Sequence, residues 1–183
     1  TINLSNDFTY SGGTITESAT TVGRGQFRFL KSGTVTVIGG GTISNTVDFY
    51  IPNTGTTVNL ATYVLTGSGD FNMSASTGLM MGSTGGISTS GATGNVQVTG
   101  TRTYGATSDY TYNGSAAQVT GNGLPATVNN LTINNSAGVT LSQTVAVSNI
   151  LTLTTGKVTT GSYEVNSTNT STSGIISQSV TDY

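Results

Sequence analysis

Apolar residues in this chain come in triplets with a polar residue at the centre. Phe8-Thr9-Tyr10, Phe27-Arg28-Phe29, Phe49-Tyr50-Ile51 and Phe71-Asn72-Met73 are followed by Tyr110-Thr111-Tyr112, Leu131-Thr132-Ile133 and Leu151-Thr152-Leu153. A period of two puts both outer side chains of a triplet on one face of a β-strand. The interval from one triplet to the next is nearly constant from Phe8 through Phe71, and again from Tyr110 through Leu151. A coil of that length, with two or three short strands joined by Gly, Asn and Ser turns, is the unit of a solenoid. The expected fold is all-β, a right-handed parallel β-helix (β-solenoid) with about 20–22 residues per rung. The alternative is a set of tandem immunoglobulin-like β-sandwiches, which also show many short strands and frequent turn signals. A sandwich has no reason to repeat one triplet at this interval, so the solenoid is preferred.

The two sets of triplets align when Phe27 is written upon Tyr110, with Gly39-Gly40-Gly41 falling on Gly121-Asn122-Gly123 and Val58-Asn59-Leu60 on Val139-Thr140-Leu141. This divides one continuous solenoid over 1–183 into tandem units at about 26–108 and 109–183, with 1–25 closing a preceding unit. Stacking at ~4.8 Å per coil predicts an inward ladder of Phe8, Phe27, Phe49 and Phe71. A parallel ladder holds Tyr10, Phe29, Ile51 and Met73, within eight or nine coils. The longer interval from Phe71 to Tyr110 leaves room for one extra coil, but its best strand, Val96-Gln97-Val98, is off phase. Asn53 with Gly55 and Asn135 with Gly138 mark corners where a left-handed backbone is expected. Pro52 and Pro125 fall at corners too, where a missing amide hydrogen costs little.

Composition narrows the function. Only 7% of residues are charged, 5 Lys and Arg against 7 Asp and Glu, so there is no basic patch for nucleic acid. With 34% hydrophobic residues and a net charge of −2, the chain has the wrong balance for disorder. The absence of Cys removes disulfides and thiolate metal sites. The absence of His removes the usual general base. No apolar run reaches the roughly 20 residues of a membrane span, so membrane insertion is not expected. The start Thr-Ile-Asn-Leu is not a signal peptide and reads as a mature product or a piece of a longer chain.

The carboxylates are the only acid/base candidates, and Asp7, Asp48, Asp70, Asp109 and Asp182 each stand directly before Phe or Tyr. Catalysis by carboxylates needs a converging pair, whereas a corner Asp ordinarily accepts turn amides. Asp48 and Asp70 lie one coil apart, which would bring like charges within about 5 Å, so a shared hard cation such as calcium is weighed. Gly39-Gly40-Gly41 lacks the helix and Lys-Ser/Thr of a phosphate loop and reads as a turn. The seven Asn-x-Ser/Thr sequons, Asn72, Asn113, Asn134 and Asn166 among them, are what an Asn- and Thr-rich chain yields by chance. Thr34-Val35-Thr36 and Thr152-Leu153-Thr154 resemble the arrays of ice-binding solenoids, although Thr is also a favoured residue for the solvent face of a strand. Arg24, Arg28, Arg102 and Lys157 are too scattered in sequence to form a site. No catalytic, cofactor-binding or metal-ligating residue is assigned.

Residues 109–180 carry a resemblance. Tyr112-Asn113-Gly114, Gln118-Val119-Thr120-Gly121, Leu124-Pro125-Ala126-Thr127-Val128-Asn129-Asn130-Leu131-Thr132-Ile133-Asn134-Asn135, Gly138-Val139-Thr140-Leu141 and Leu151-Thr152-Leu153-Thr154-Thr155-Gly156 together look like the repeat region of large Bacteroidota surface proteins. Such proteins resemble adhesins and are generally exported by the type IX route. The match degenerates over 7–81, where Val47-Asp48-Phe49-Tyr50-Ile51 replaces the Asn-Asn-Leu-Thr-Ile phrase. The resemblance implies a non-catalytic structural or adhesive segment, extracellular or on a bacterial cell surface. The alternative is a carbohydrate-binding or degenerate polysaccharide-lyase-like module. Partners implied are further copies or flanking repeats stacked end to end, and surface glycans. Residues 161–183 align with 82–104, Tyr183 upon Tyr104, and neither end carries a polar cap, so association through the ends is expected.

Overall fold

The computed structural model describes residues 1–18 and 24–177; Asp182 and Tyr183 lie outside them. Among the described residues there is no helix. Every strand ladder is parallel, and the strands stack as a β-solenoid of about seven turns. Parallel stacking in one solenoid is incompatible with tandem sandwiches, whose strands pair antiparallel.

The first turn holds β1 (Ile2–Leu4), β2 (Phe8–Tyr10) and β3 (Thr14–Ile15), and the second β4 (Gln26–Phe29), β5 (Gly33–Gly39) and β6 (Thr42–Ile43). β7 (Asp48–Ile51) and β8 (Thr56–Asn59) form the third, β9 (Phe71–Met73) and β10 (Gly78–Met81) the fourth. β11 (Arg102–Thr103), β12 (Asp109–Tyr112) and β13 (Gln118–Val119) form the fifth, β14 (Thr127–Asn134) and β15 (Val139–Thr140) the sixth. β16 (Val145–Thr155) and β17 (Val158–Thr159) precede a last stretch with β18 (Val165–Ser167) and β19 (Ile175–Ser177).

Three faces result. A five-stranded sheet runs β1-β4-β7-β9-β11, and a nine-stranded sheet runs β2-β5-β8-β10-β12-β14-β16-β18 with β19 also on β16. The third face holds the pairs β3-β6 and β13-β15-β17 and the bridge Leu65 to Val96. The inward side chains of all three meet in one apolar core.

Phe27, Phe49 and Phe71 are in register on the five-stranded sheet, as their even spacing predicts. All three are buried, and the Phe27 and Phe49 rings stack at 5.9 Å and 12°. Phe8 is not in that ladder. It pairs with Val37 on the nine-stranded sheet, Tyr10 pairs with Gly39, and Ile2 and Leu4 take the places opposite Phe27 and Phe29. Phe8 meets Phe27 only across the core, ring centroids 5.2 Å apart. Apolar alternation is the same on every face, so the triplet identified a strand without identifying its sheet.

The second set of triplets shows the same effect. Tyr110, Leu131 and Leu151 are in register with one another, as their own spacing predicts. Below them, however, stand Leu79, Val58 and Val35 of the nine-stranded sheet. Phe27, Phe49 and Phe71 therefore occupy a different face from Tyr110, Leu131 and Leu151.

The long interval from Phe71 to Tyr110 holds no extra coil. One turn is enlarged instead, so that Leu79 pairs with Tyr110 and Phe71 with Arg102. Residues 82–95 make a lateral excursion, and Val96 returns to the same turn through its bridge to Leu65. The enlarged turn is one reason that there are about seven turns rather than eight or nine. At ~4.8 Å per turn the stack is about 30 Å long.

At the predicted corners glycine takes the left-handed backbone, with φ of 78° at Gly55 and 87° at Gly138. Asn135 acts differently, its Oδ1 accepting from the amide of Ala137 and its Nδ2 donating to Ala116 and Gln118. Gly39 and Gly41 owe their place to space. A methyl at Gly39 would collide with the ring of Tyr63, and one at Gly41 with the ring of Tyr10.

Candidate functional site

The outer face of the nine-stranded sheet carries a groove of about 370 Å3 that crosses six consecutive strands, β5 to β16. Two outward rows form its floor. Register places Thr34, Thr57, Gly78, Asp109 and Asn130 in one, and Thr36, Asn59, Met80, Thr111, Thr132 and Thr152 in the other. Period-two alternation puts these side chains outward while Val58, Leu79, Tyr110 and Leu131 point into the core. Thr57, Met80, Asp109, Thr111, Thr132 and Thr152 are nevertheless only partly exposed, as the floor of a shallow channel would be.

Asp109 anchors this channel. Its Oδ1 accepts from Nδ2 of both Asn129 and Asn130, each at 2.8 Å. Asn130 in turn accepts from the Ile150 amide at 3.0 Å and from Asn149 at 2.9 Å. This relay spans three turns where the β14-β16 register slips between Val128 and Asn130. The Asn-Asn of the Asn-Asn-Leu-Thr-Ile phrase thus supplies the hydrogen bonds that a bulged ladder would otherwise lack.

The other described aspartates work alike, each accepting from the following turn. Asp7 takes the Thr36 amide and the Lys31 ammonium, both at 3.1 Å, and these bonds hold its carboxyl below the usual range. Asp48 takes the Asp70 amide at 2.8 Å, and Asp70 takes the Thr101 amide at 2.7 Å. A carboxylate bound to an amide makes a charge-assisted bond roughly twice as strong as a neutral one. These residues are staples between turns, rather than acceptors of their own turn's amides.

Asp48 and Asp70 do face one cation, and it is Arg24. Its Nη1 lies 3.4 Å from Asp48 and 3.1 Å from Asp70. Both partners are distant along the chain, which is why Arg24 looks isolated in sequence; the stack brings the three to one corner. Among the described residues no group of three or more Asp, Glu, His or Cys converges as a metal set would. Arg28 lies over the ring of Tyr50, 5.3 Å from its centroid, on the outer face of the five-stranded sheet.

Arg102 is the residue that sequence reasoning missed. It occupies the inward position above Phe71, only 9% exposed. Its Nε donates to the Val98 carbonyl at 2.8 Å, Nη1 to Ser88 at 3.2 Å and Nη2 to Gly91 at 2.6 Å. The Tyr104 hydroxyl donates to Ser88 as well, at 3.0 Å. Burial lowers the Arg102 pKa and raises that of Tyr104. The two side chains pin the 82–95 excursion to the body of the solenoid. Sequence alternation gave no signal for Arg102, because its pairing with Phe71 depends on the length of the enlarged turn.

No protein-family model matches this chain, and comparison with curated proteins and with solved structures finds no match.

Proposed function

We propose that this chain is a non-catalytic structural segment of a surface protein, serving as a shaft and as a contact surface. The observation that carries the reading is the use of its carboxylates. Asp7, Asp48, Asp70 and Asp109 sit at separate places along the stack, each bound to the next turn. An apolar core shared by successive turns, reinforced by such staples, suits a rod that bears load along its axis. The resemblance of residues 109–180 to Bacteroidota adhesin repeats favours an extracellular or cell-surface setting and export by the type IX route.

Pulling the chain by its two ends tests the shaft directly. Stepwise, turn-by-turn extension at forces well above those of helical repeats is the expected record, and extension at low force without steps refutes it. End-to-end stacking belongs to the same reading. The open edge of β1 and β2 presents Ile2, 48% exposed, beside the partly buried Leu4 and Phe8, and unpaired edges template further pairing. Sedimentation that shows a monomer at every concentration would remove self-stacking from the proposal.

A second reading, a carbohydrate-binding module, is favoured by the groove on the nine-stranded sheet. Release of reducing ends from polysaccharides by the chain would refute both readings, since neither includes catalysis.

A further inference from the structure

We infer that the groove on the nine-stranded sheet binds a neutral, linear polysaccharide lying along the axis of the stack. The inference rests on the carbohydrate-binding reading and assigns it a face, a direction and a ligand class.

The hydroxyl groups carry the argument. Thr34, Thr57, Thr111, Thr132 and Thr152 line the groove, and none of their side chains hydrogen-bonds to another described residue. Threonines elsewhere in the solenoid behave otherwise: Thr56, Thr66 and Thr77 donate to the carbonyls of Lys31, Ile43 and Ser74. A hydroxyl both donates and accepts, which is also what each sugar hydroxyl does. Thr111, Thr132 and Thr152 are in register on successive strands, so they repeat at ~4.8 Å. That interval is comparable with the length of one pyranose unit, and a chain along the axis meets one threonine per unit.

Shape and charge select the ligand further. Gly78 stands between Thr57 and Asp109 in the first row, and leaves a notch in the floor that a side chain would close. Met80 and Ile150 line the same groove and offer apolar surface between the hydroxyls. Sugar rings present this mixture, C–H faces bordered by hydroxyl edges. Asp109 is the one charged residue lining the groove, and its Oδ1 is already engaged by Asn129 and Asn130. The remaining acceptor capacity suits a sugar hydroxyl, and its negative charge repels a polyuronate. Ordering of water as on ice needs a flat, unbroken hydroxyl array; Met80, Gly78 and Ile150 interrupt this one.

The test is calorimetric titration of the whole chain with cellohexaose, mannohexaose and polygalacturonate. At least one neutral hexasaccharide is expected to bind, with an affinity unchanged by added salt. The triple variant T111V/T132V/T152V should weaken it at least tenfold. Valine keeps the shape and strand preference of threonine, and an unchanged melting curve shows that the solenoid is intact. Tyr50→Ala, on the outer face of the other sheet, should leave affinity as it was. Undiminished binding by the triple variant, loss of binding in Tyr50→Ala alone, or a preference for polygalacturonate overturns the inference and leaves the carbohydrate-binding reading standing. Binding of no saccharide, with or without thermal hysteresis in freezing water, overturns both.

Discussion

Truncating Phe49 to alanine removes the middle ring of the phenylalanine ladder, and the cost follows from its surroundings. Phe49 is 1% exposed, with Phe27 and Phe71 in register on either side. Large-to-small changes of a buried Phe cost about 3–5 kcal/mol. The loss should fall in the upper half of that range, because the parallel ladders hold the flanking turns at their spacing and the cavity cannot collapse. The stacked Phe27 partner adds about 0.5–1.5 kcal/mol of lost ring contact. A loss of about 4 kcal/mol is therefore expected in reversible guanidinium unfolding, followed by tyrosine fluorescence and by circular dichroism. In a solenoid each turn leans only on its neighbours, so the two probes should separate as the first two turns uncouple from the rest. Phe8→Ala is the internal control. Phe8 is half-buried in the end turn, and its truncation should cost about half as much, ~2 kcal/mol. A loss below about 1 kcal/mol for Phe49→Ala would mean that the ring faces solvent and that the register is wrong by one residue.

Arg102→Ala should destabilise by about 3–5 kcal/mol, because the carbonyls of Val98, Ser88 and Gly91 lose their donor. Faster amide exchange confined to 85–95 is its signature, and unchanged exchange there would refute the anchoring role. Stability should also fall in alkali. Tyr110 and Tyr112 are fully buried and donate to the carbonyls of Gly105 and Thr120, and burial raises both pKa values. Folded tyrosines thus keep protons that unfolded ones release above pH ~10, so stability is whole below pH ~10 and is lost as pH rises beyond it. The slope should be about 1.4 kcal/mol per pH unit for each, and Tyr112→Phe should remove one share; a flat profile across the alkaline range contradicts the burial. Asp48→Asn keeps an acceptor for the Asp70 amide and should cost less than about 1 kcal/mol, whereas Asp48→Ala should cost more. Since Arg24 already bridges Asp48 and Asp70, millimolar calcium should leave the melting temperature unchanged, and a clear upward shift would restore a cation site there.

Local pattern determined much of this protein. Apolar alternation in triplets, with glycines and asparagines between them, specified short strands without helix, and the near-constant interval between triplets specified parallel stacking in turns of that length. The aspartate before each aromatic was legible as a backbone acceptor. What sequence pattern left open was the face on which each strand lies, because inward-outward alternation is identical on all three. Only rung length distinguishes them, and the enlarged turn between Phe71 and Arg102 shifts the phase without disturbing the alternation. That shift put Tyr110 above Leu79, and the first strand Ile2–Leu4 displaced Phe8 from the phenylalanine ladder. The groove was hidden for the same reason. Its floor takes one or two side chains from each of six strands, and its threonines, distant along the chain, become neighbours only when successive turns are stacked at ~4.8 Å. The meeting of Arg24 with Asp48 and Asp70, and the burial of Arg102 among three carbonyls, are likewise contacts made by the folded stack, which only the tertiary register decides.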